Sequence, residues 1–384
     1  MRFAPTILAT PAPPIPAARA WAARYDGRHG PALDLTQAVP GYPPHPALLA
    51  RLAEAAGDPA LAGYGPIAGE PELREALAAD LMRGYGGAIG AGEVAITAGC
   101  NLGFAMVTKV IAAPGDNLLI PTPWYFNHAM ALTMAGVEPR PLPCRAEDGF
   151  IPDPGRAAAL VDARTRAILL VTPNNPTGAI YPPEVIDAFA RLARQRGLWL
   201  ILDETYRDFL PEAAGAPHGL FADGEAWPDH LVHLYSFSKA YCVPGHRLGA
   251  VVAGEAFQAE LAKALDTLQI CPARPAQRVL AWAIEALREW RAGNRAIMDG
   301  RAAACRAALA DQRLDAMGAY FAYLRLPEEA PDALAAAERL AAEQGVMTLP
   351  GPFFGPGQER HLRLAFANAE AARLGELGSR LRLD

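Results

Sequence analysis

The densest chemistry in this sequence lies in Ser236-Phe237-Ser238-Lys239, followed closely by Gly245-His246-Arg247. Lysine is scarce. Only Lys109, Lys239 and Lys263 supply it among 35 lysines and arginines. An amine directly after a buried strand becomes a nucleophile when its pKa is depressed. Lys109 sits inside an apolar helical stretch and Lys263 beside Glu260 and Asp266, so both read as surface charges. Ser236, Ser238 and Arg247 add three groups able to hold an anion. Upstream, Asp203-Glu204-x-Tyr206 ends the apolar run Leu198–Leu202, where an unpaired carboxylate is costly to bury. A salt bridge to an arginine is the ordinary alternative. Gly99-Cys100-Asn101 opens a helix, and exposed N–H groups with the helix dipole suit phosphate there. The same pattern also serves as a plain tight turn. The aromatics of Pro123-Trp124-Tyr125-Phe126-Asn127-His128 are candidates to stack on a planar ring or to pack in the core. Asn174-Asn175-Pro176-Thr177-Gly178 is unremarkable in isolation.

What unites these segments is position, because each comes directly after a predicted strand. Open α/β sheets place ligands outside the carboxyl ends of their strands. The predicted strands are Val94–Thr97, Asn117–Ile120, Ala167–Val171, Leu198–Leu202 and Leu231–Ser236. Helices alternate with them at about Leu102–Ala112, Phe126–Ala135 and Pro183–Arg196, preceded by Pro46–Ala56 and Pro71–Arg83. Short apolar strands separated by helices predict a mostly parallel sheet covered on both faces. Residues 1–30 read as an irregular arm with a short helix around Ala17–Tyr25. Beyond about residue 275 a long helical stretch runs to about Leu309. Strands at Tyr320–Leu326 and His361–Phe366, with a helix at Asp332–Glu343, then predict a smaller α+β domain.

Composition sets the outer bounds. With 384 residues, 52% hydrophobic and 20% charged, the chain is an ordinary globular protein with ample length for a buried core. A net charge of -6 argues against a nucleic-acid binder. The five cysteines lack both C-x-x-C pairing and zinc spacing, so we expect a reduced, cytoplasmic chain with no metal site. The first 20 residues lack a signal-peptide core, and every apolar run is too short to span a bilayer. No G-x-G-x-x-G follows a strand, and Gly63-Tyr64-Gly65 has the wrong continuation, which disfavours a dinucleotide oxidoreductase.

In order and spacing, the motif series resembles the class I/II aminotransferases of the fold type I pyridoxal-phosphate enzymes. The resemblance runs from Leu35-Thr36-Gln37-Ala38-Val39-Pro40, Tyr64 and Gly69-x-x-x-Leu73-Arg74 through Thr97-Ala98-Gly99, Asn174-Asn175-Pro176-Thr177-Gly178, Asp203-Glu204-x-Tyr206 and Ser236-Phe237-Ser238-Lys239 with Arg247. It ends at Pro350-Gly351-x-x-Phe354-Gly355 and His361-Leu362-Arg363-Leu364. It implies an α/β fold with a mostly parallel seven-stranded sheet and a smaller α+β domain. The implied division is an arm at 1–45, a large cofactor-binding domain at 46–272, and a small domain with its connecting helix at 273–384.

The resemblance also implies site roles. Lys239 would hold pyridoxal 5'-phosphate as an internal aldimine and shuttle the proton. Asp203 would keep the ring nitrogen protonated, backed by His128, while Tyr206 and Asn175 would hydrogen-bond the ring oxygen. Tyr125 would stack on the ring. The phosphate would lie against Gly99, Cys100, Asn101, Ser236, Ser238 and Arg247, with Tyr64 reaching in from the second subunit of a homodimer. Arg363 would clamp the substrate carboxylate. Ala38 stands where the family's carboxylate site carries glycine. The expected activity moves the amino group of an L-amino acid to a 2-oxo acid by a ping-pong mechanism. A β-eliminating C–S lyase is the alternative on the same scaffold. A DNA-binding regulator is not expected, because the resemblance begins within the first 40 residues. Tyr25, Tyr42, Trp124 and Phe126 are candidates to line an apolar or aromatic substrate pocket.

Overall fold

Runs such as Ala167–Val171 are apolar at every position, so a strand made from them must be covered on both faces. The computed structural model, which describes residues 2–224 and 226–383, meets that demand with a central sheet. The N-terminal segment forms helices Pro5–Ala9 and Pro14–Ala22, each with proline in its first turn where the missing N–H costs nothing. The second helix starts earlier than the predicted Ala17–Tyr25. β1 (Leu33–Asp34) comes next.

The central sheet contains β2 (Val94–Thr97), β3 (Asn117–Thr122), β4 (Glu138–Pro143), β5 (Thr165–Val171), β6 (Trp199–Asp203), β7 (Leu231–Ser236) and β8 (Gly249–Val252), in the order β2-β8-β7-β6-β5-β3-β4. Only β8 runs antiparallel to its neighbours. The register aligns the strand ends. Val171 pairs with Asp203, and Gly249 pairs with both Ser236 and Thr97. The carboxyl ends of β2, β5, β6 and β7 therefore lie along one edge, and each is succeeded by one of the motifs.

A second sheet is built from β9 (Arg313–Gly318), β10 (Phe321–Arg325), β12 (Leu349–Pro350) and β13 (His361–Leu364), ordered β12-β13-β10-β9. β11 (Val346–Met347) pairs instead with β1, which ties the N-terminal segment to this half of the molecule. The long helical stretch predicted to run to Leu309 is two helices, Arg274–Ala286 and Arg288–Ala308, parted at Leu287. Different partners explain the break. Val279, Leu280 and Ala283 join the core around the central sheet, whereas Cys305 and Leu309 join the core around the smaller one.

Two strands of the central sheet that are absent from the sequence reading, β4 and β8, have physical reasons. β4 reads Glu-Pro-Arg-Pro-Leu-Pro, and proline is tolerated there only because the strand pairs on one side, at the sheet edge. β8 is four residues long and carries its glycine at the start.

The two halves meet at glycine. Gly178 has φ of +78°, and a Cβ there would overlap the backbone of Gly318 and the carbonyl of Phe321. A Cβ on Gly318 would in turn strike the Gly178 carbonyl. We expect Gly178→Ala to destabilise the fold by about 2–3 kcal/mol, combining left-handed backbone strain with the clash. Denaturant unfolding measures this. A loss below about 0.5 kcal/mol, the scale of ordinary surface substitutions, would show that the crossing is looser than described.

Candidate active site

A cavity of about 420 Å³ opens at the edge where these strand ends line up. At its floor β6 ends in Asp203, a buried carboxylate. His128, from the helix Phe126–Met134, places Nε2 3.2 Å from Asp203 Oδ2. Thr205 donates its backbone N–H and its hydroxyl to Oδ1, at 3.0 and 2.7 Å. Burial alone would raise the carboxyl pKa. The hydrogen bonds and charge from His128, with the two bonds from Thr205, outweigh it and hold Asp203 below its ordinary value. Glu204 points the opposite way, into a buried cluster with Tyr85, His218 and His233.

One wall is built to receive an anion. Cys100 begins the helix Cys100–Ile111, whose first N–H groups have no partner within the helix. Gly99 precedes it with φ of +91°, and a Cβ at this position would overlap the Arg247 guanidinium. Gly249 likewise lets the Gly99–Cys100 backbone pack directly on β8. Ser236 caps the short helix Phe237–Ala240, which carries Ser238, and both serines line the cavity. Arg247 closes the wall, itself in the left-handed region at φ of +51°.

Lys239 enters between these walls. Its Nζ donates to the carbonyl of Ala38. Desolvation first, then the positive charges of Arg247 and Arg363, push its pKa down to about 8. From β13 comes Arg363, buried between the rings of Phe321 and Phe354 at 5.2 and 5.0 Å. Its guanidinium donates to Asn175 Oδ1 at 3.0 Å and to the Thr36 carbonyl, while Nε is buried with no hydrogen-bond partner in the chain. Tyr206 packs edge-on against Phe321 and lines the cavity, and burial raises its hydroxyl pKa well above 10. Tyr125 also lines the cavity, its hydroxyl accepting from Asn127 Nδ2 at 2.9 Å.

Asp203, Tyr206, Lys239, Gly99, Cys100, Asn101, Tyr125, Asn175, Ser236, Ser238, Arg247, Arg363 and Ala38 thus converge in this one region. Tyr64 does not join them. It is absent from the cavity lining of its own chain and is 81% exposed. Of the four aromatics read as pocket candidates, only Phe126 lines the cavity. Trp124 faces a separate apolar hollow with Met130 and Phe353, Tyr42 lies under Arg301, and Tyr25 lies beside Arg380. All three were expected from residue type, and the backbone turns each of them away. Sequence reasoning missed Thr205 and Ile15, while Thr36, Gln37 and Val39 flank Ala38 in the segment that the resemblance covers. Thr205 was in reach, since it sits inside Asp203-Glu204-x-Tyr206. Ile15 arrives from a distant helix and left no local signal.

The chain is similar to known proteins over most of its length. The family model for aminotransferase class I and II matches residues 31–381. An aspartate/prephenate aminotransferase of Thermus thermophilus is 32% identical over 80% of this chain and 79% of its own. An aromatic aminotransferase of Arabidopsis thaliana is 29% identical over 91% of this chain and 89% of its own. Among solved structures, an aspartate aminotransferase from Thermus thermophilus with maleate superposes with a TM-score of 0.90, at 28% identity and covering 100% of both chains.

The environment of Lys239 carries a pH signature. A depressed pKa means that the neutral, reactive amine accumulates at lower pH. Labelling of Lys239 by an amine-selective reagent, read by peptide mass spectrometry on ligand-free protein, is expected to rise with a midpoint near pH 8. A midpoint at the ordinary 10.5 would contradict the described surroundings.

Proposed function

The chain belongs to the aminotransferase class I and II family and is a pyridoxal-phosphate-dependent aminotransferase, and we propose that Lys239, Asp203, Tyr206, Asn175, Arg247 and Arg363 carry its reaction. The observation that supports this most is the convergence of Lys239, Arg247, Arg363 and Asp203 in one cavity at the ends of the strands. The residues present fit the cofactor. The Gly99–Asn101 turn, Ser236, Ser238 and Arg247 form a cradle suited to a phosphate, and glycine at 99 leaves room for the Arg247 guanidinium that a Cβ would overlap.

When bound, the cofactor supplies an electron-withdrawing ring that stabilises negative charge at the substrate Cα. The protein supplies the rest. Lys239 Nζ would hold the cofactor, and its amine would serve as the base and acid that moves a proton at the substrate Cα. Asp203, held ionised by His128 and Thr205, would keep the ring nitrogen protonated. Tyr206 and Asn175 would hydrogen-bond the ring oxygen, and Tyr125 would stack on the ring. The orphaned Nε of buried Arg363, together with its Nη groups, receives the substrate carboxylate. A buried unpaired donor is costly, so the carboxylate gains more here than it would at a solvated arginine. Ala38 lies at the same end, its carbonyl already accepting from Lys239. Donor and acceptor use the site in turn, the first leaving as a 2-oxo acid before the second enters. The named activities of the relatives favour this outcome over β-elimination.

The working unit is a homodimer, a reading supported by the 81% exposure of Tyr64. In this reading Tyr64, which does not line its own cavity, completes the phosphate wall of a second copy. We place the enzyme in the cytoplasm, in keeping with five free cysteines. Among the described residues, no helix is long and apolar enough to cross a membrane.

Three variants test these roles. Lys239→Ala is expected to lower kcat at least about 1,000-fold while the protein still binds the cofactor. Activity within tenfold of wild type would rule the role out. Arg363→Lys keeps the charge but loses the fork, so the KM for the amino donor is expected to rise roughly 10–100-fold, with a smaller fall in kcat. An unchanged KM would remove Arg363 from the carboxylate site. Tyr64→Phe is expected to weaken cofactor affinity about tenfold, the scale of one hydrogen bond to a charged group. Unaltered affinity would detach Tyr64 from the second copy's site.

A further inference from the structure

Resting on the reading of this cavity as a pyridoxal-phosphate site, we propose that Gln269 is a positioning residue for the cofactor phosphate, acting through the backbone of β2. Among the described residues, this edge strand of the central sheet pairs with β8 alone. The N–H and C=O groups along its outer side need partners from elsewhere. Three parts of the chain supply them. Arg74 Nε donates to the Val94 carbonyl at 2.7 Å, and the Ala68 carbonyl accepts from the Ile96 N–H at 2.9 Å. The third is the carboxamide of Gln269. Its Nε2 donates to the Ile96 carbonyl at 3.1 Å, and its Oε1 accepts from the Ala98 N–H at 2.7 Å.

One donor and one acceptor in a single plane are what the peptide groups of a neighbouring strand would offer. Gln269 therefore extends the ladder where β2 gives way to the phosphate turn. The Gly99 N–H is turned back onto the Thr97 carbonyl at 2.7 Å, so the N–H groups that face an anion begin at Cys100. Gly99 is the one residue between them and Ala98, and a glycine has wide conformational freedom. The direction in which Cys100 and Asn101 aim their N–H groups then depends on how firmly Ala98 is held.

The chain accepts strain to bring Gln269 there. Gln269 ends the helix Glu255–Leu268, and Ile270 follows it with φ of +63°. A β-branched residue enters this left-handed region only at a cost. After that turn, Cys271 Sγ accepts from the Gly65 N–H at 3.3 Å, beside Tyr64. This contact is a second route from Gln269 to a phosphate wall, and the experiment separates the two. Plain protection of a sheet edge is the competing account. It predicts a loss of stability with no preference for a phosphate-bearing ligand.

The test measures, by absorbance, the affinity of the full chain freed of cofactor for pyridoxal 5'-phosphate and for pyridoxal, which lacks the phosphate. Gln269→Met keeps the side-chain length and removes both hydrogen bonds. It is expected to weaken pyridoxal 5'-phosphate about tenfold, the scale of one hydrogen bond to a charged group, and pyridoxal by less than about twofold. Gln269→Asn holds the same groups one methylene short, a gentler change should the Met variant fold poorly, and is expected to show the same selective loss at roughly threefold. Equal losses for the two ligands, or no loss for either, would overturn the proposal and leave the cofactor reading standing. In a Tyr64→Phe background the selective loss is expected to persist. Its disappearance there would route the effect through Tyr64 and overturn the proposal. A wild-type chain that binds neither ligand would overturn the site reading and the proposal together.

Discussion

A lysine amine enclosed with two guanidinium groups is an uncomfortable arrangement, and the rest of the site is organised around holding it in place. Desolvation and the charges of Arg247 and Arg363 disfavour the ammonium, so Lys239 sheds its proton more readily than a free lysine. In the proposed roles, the same arginines would meet the two negative groups of the chemistry, Arg247 the cofactor phosphate and Arg363 the substrate carboxylate. Asp203 balances them from the floor of the cavity. Its ionised form is secured by His128 and Thr205 rather than by either arginine. Each arginine therefore keeps donors for a ligand.

This arrangement draws on parts of the chain that are far apart in sequence. The register of the central sheet brings the ends of β2, β5, β6 and β7 into one line and delivers the anion cradle, Asn175, Asp203 and Lys239. Arg363 comes from the other sheet, and its partners Asn175 and Thr36 come from the central sheet's turn and the N-terminal segment. Ala38 and Ile15 also belong to the N-terminal segment, which β1 and β11 tie to the smaller sheet. The substrate-facing side of the cavity is thus assembled by contact between the two halves, and the glycine crossing at Gly178 and Gly318 is one place where their backbones touch, the Trp124 N–H to Phe354 carbonyl bond being another.

The central sheet and the cofactor end were legible because they are local. An all-apolar run capped by a polar motif announces a buried strand and its carboxyl end within a dozen residues, as Leu198–Leu202 and Asp203 do. Arg363 was legible through the resemblance of His361-Leu362-Arg363-Leu364 to the family's segment. The substrate end was not. Trp124, Tyr42 and Tyr25 have the composition of a pocket wall, but their direction depends on tertiary packing that no local pattern encodes. Ile15 sits in a proline-rich stretch that reads as an irregular arm, and its helix exists because proline suits the first turn and its apolar face has the Leu349–Phe354 core to cover. The edge strand β4 hid behind three prolines, since a rule about central strands does not hold at an edge.

Reduction of the holoenzyme with borohydride, then proteolysis and mass mapping, tests the central claim most directly. A single pyridoxyl adduct on the peptide containing Lys239 is the result this account predicts. An adduct on Lys109 or Lys263, or a protein that binds the cofactor and yields no adduct at all, would contradict it.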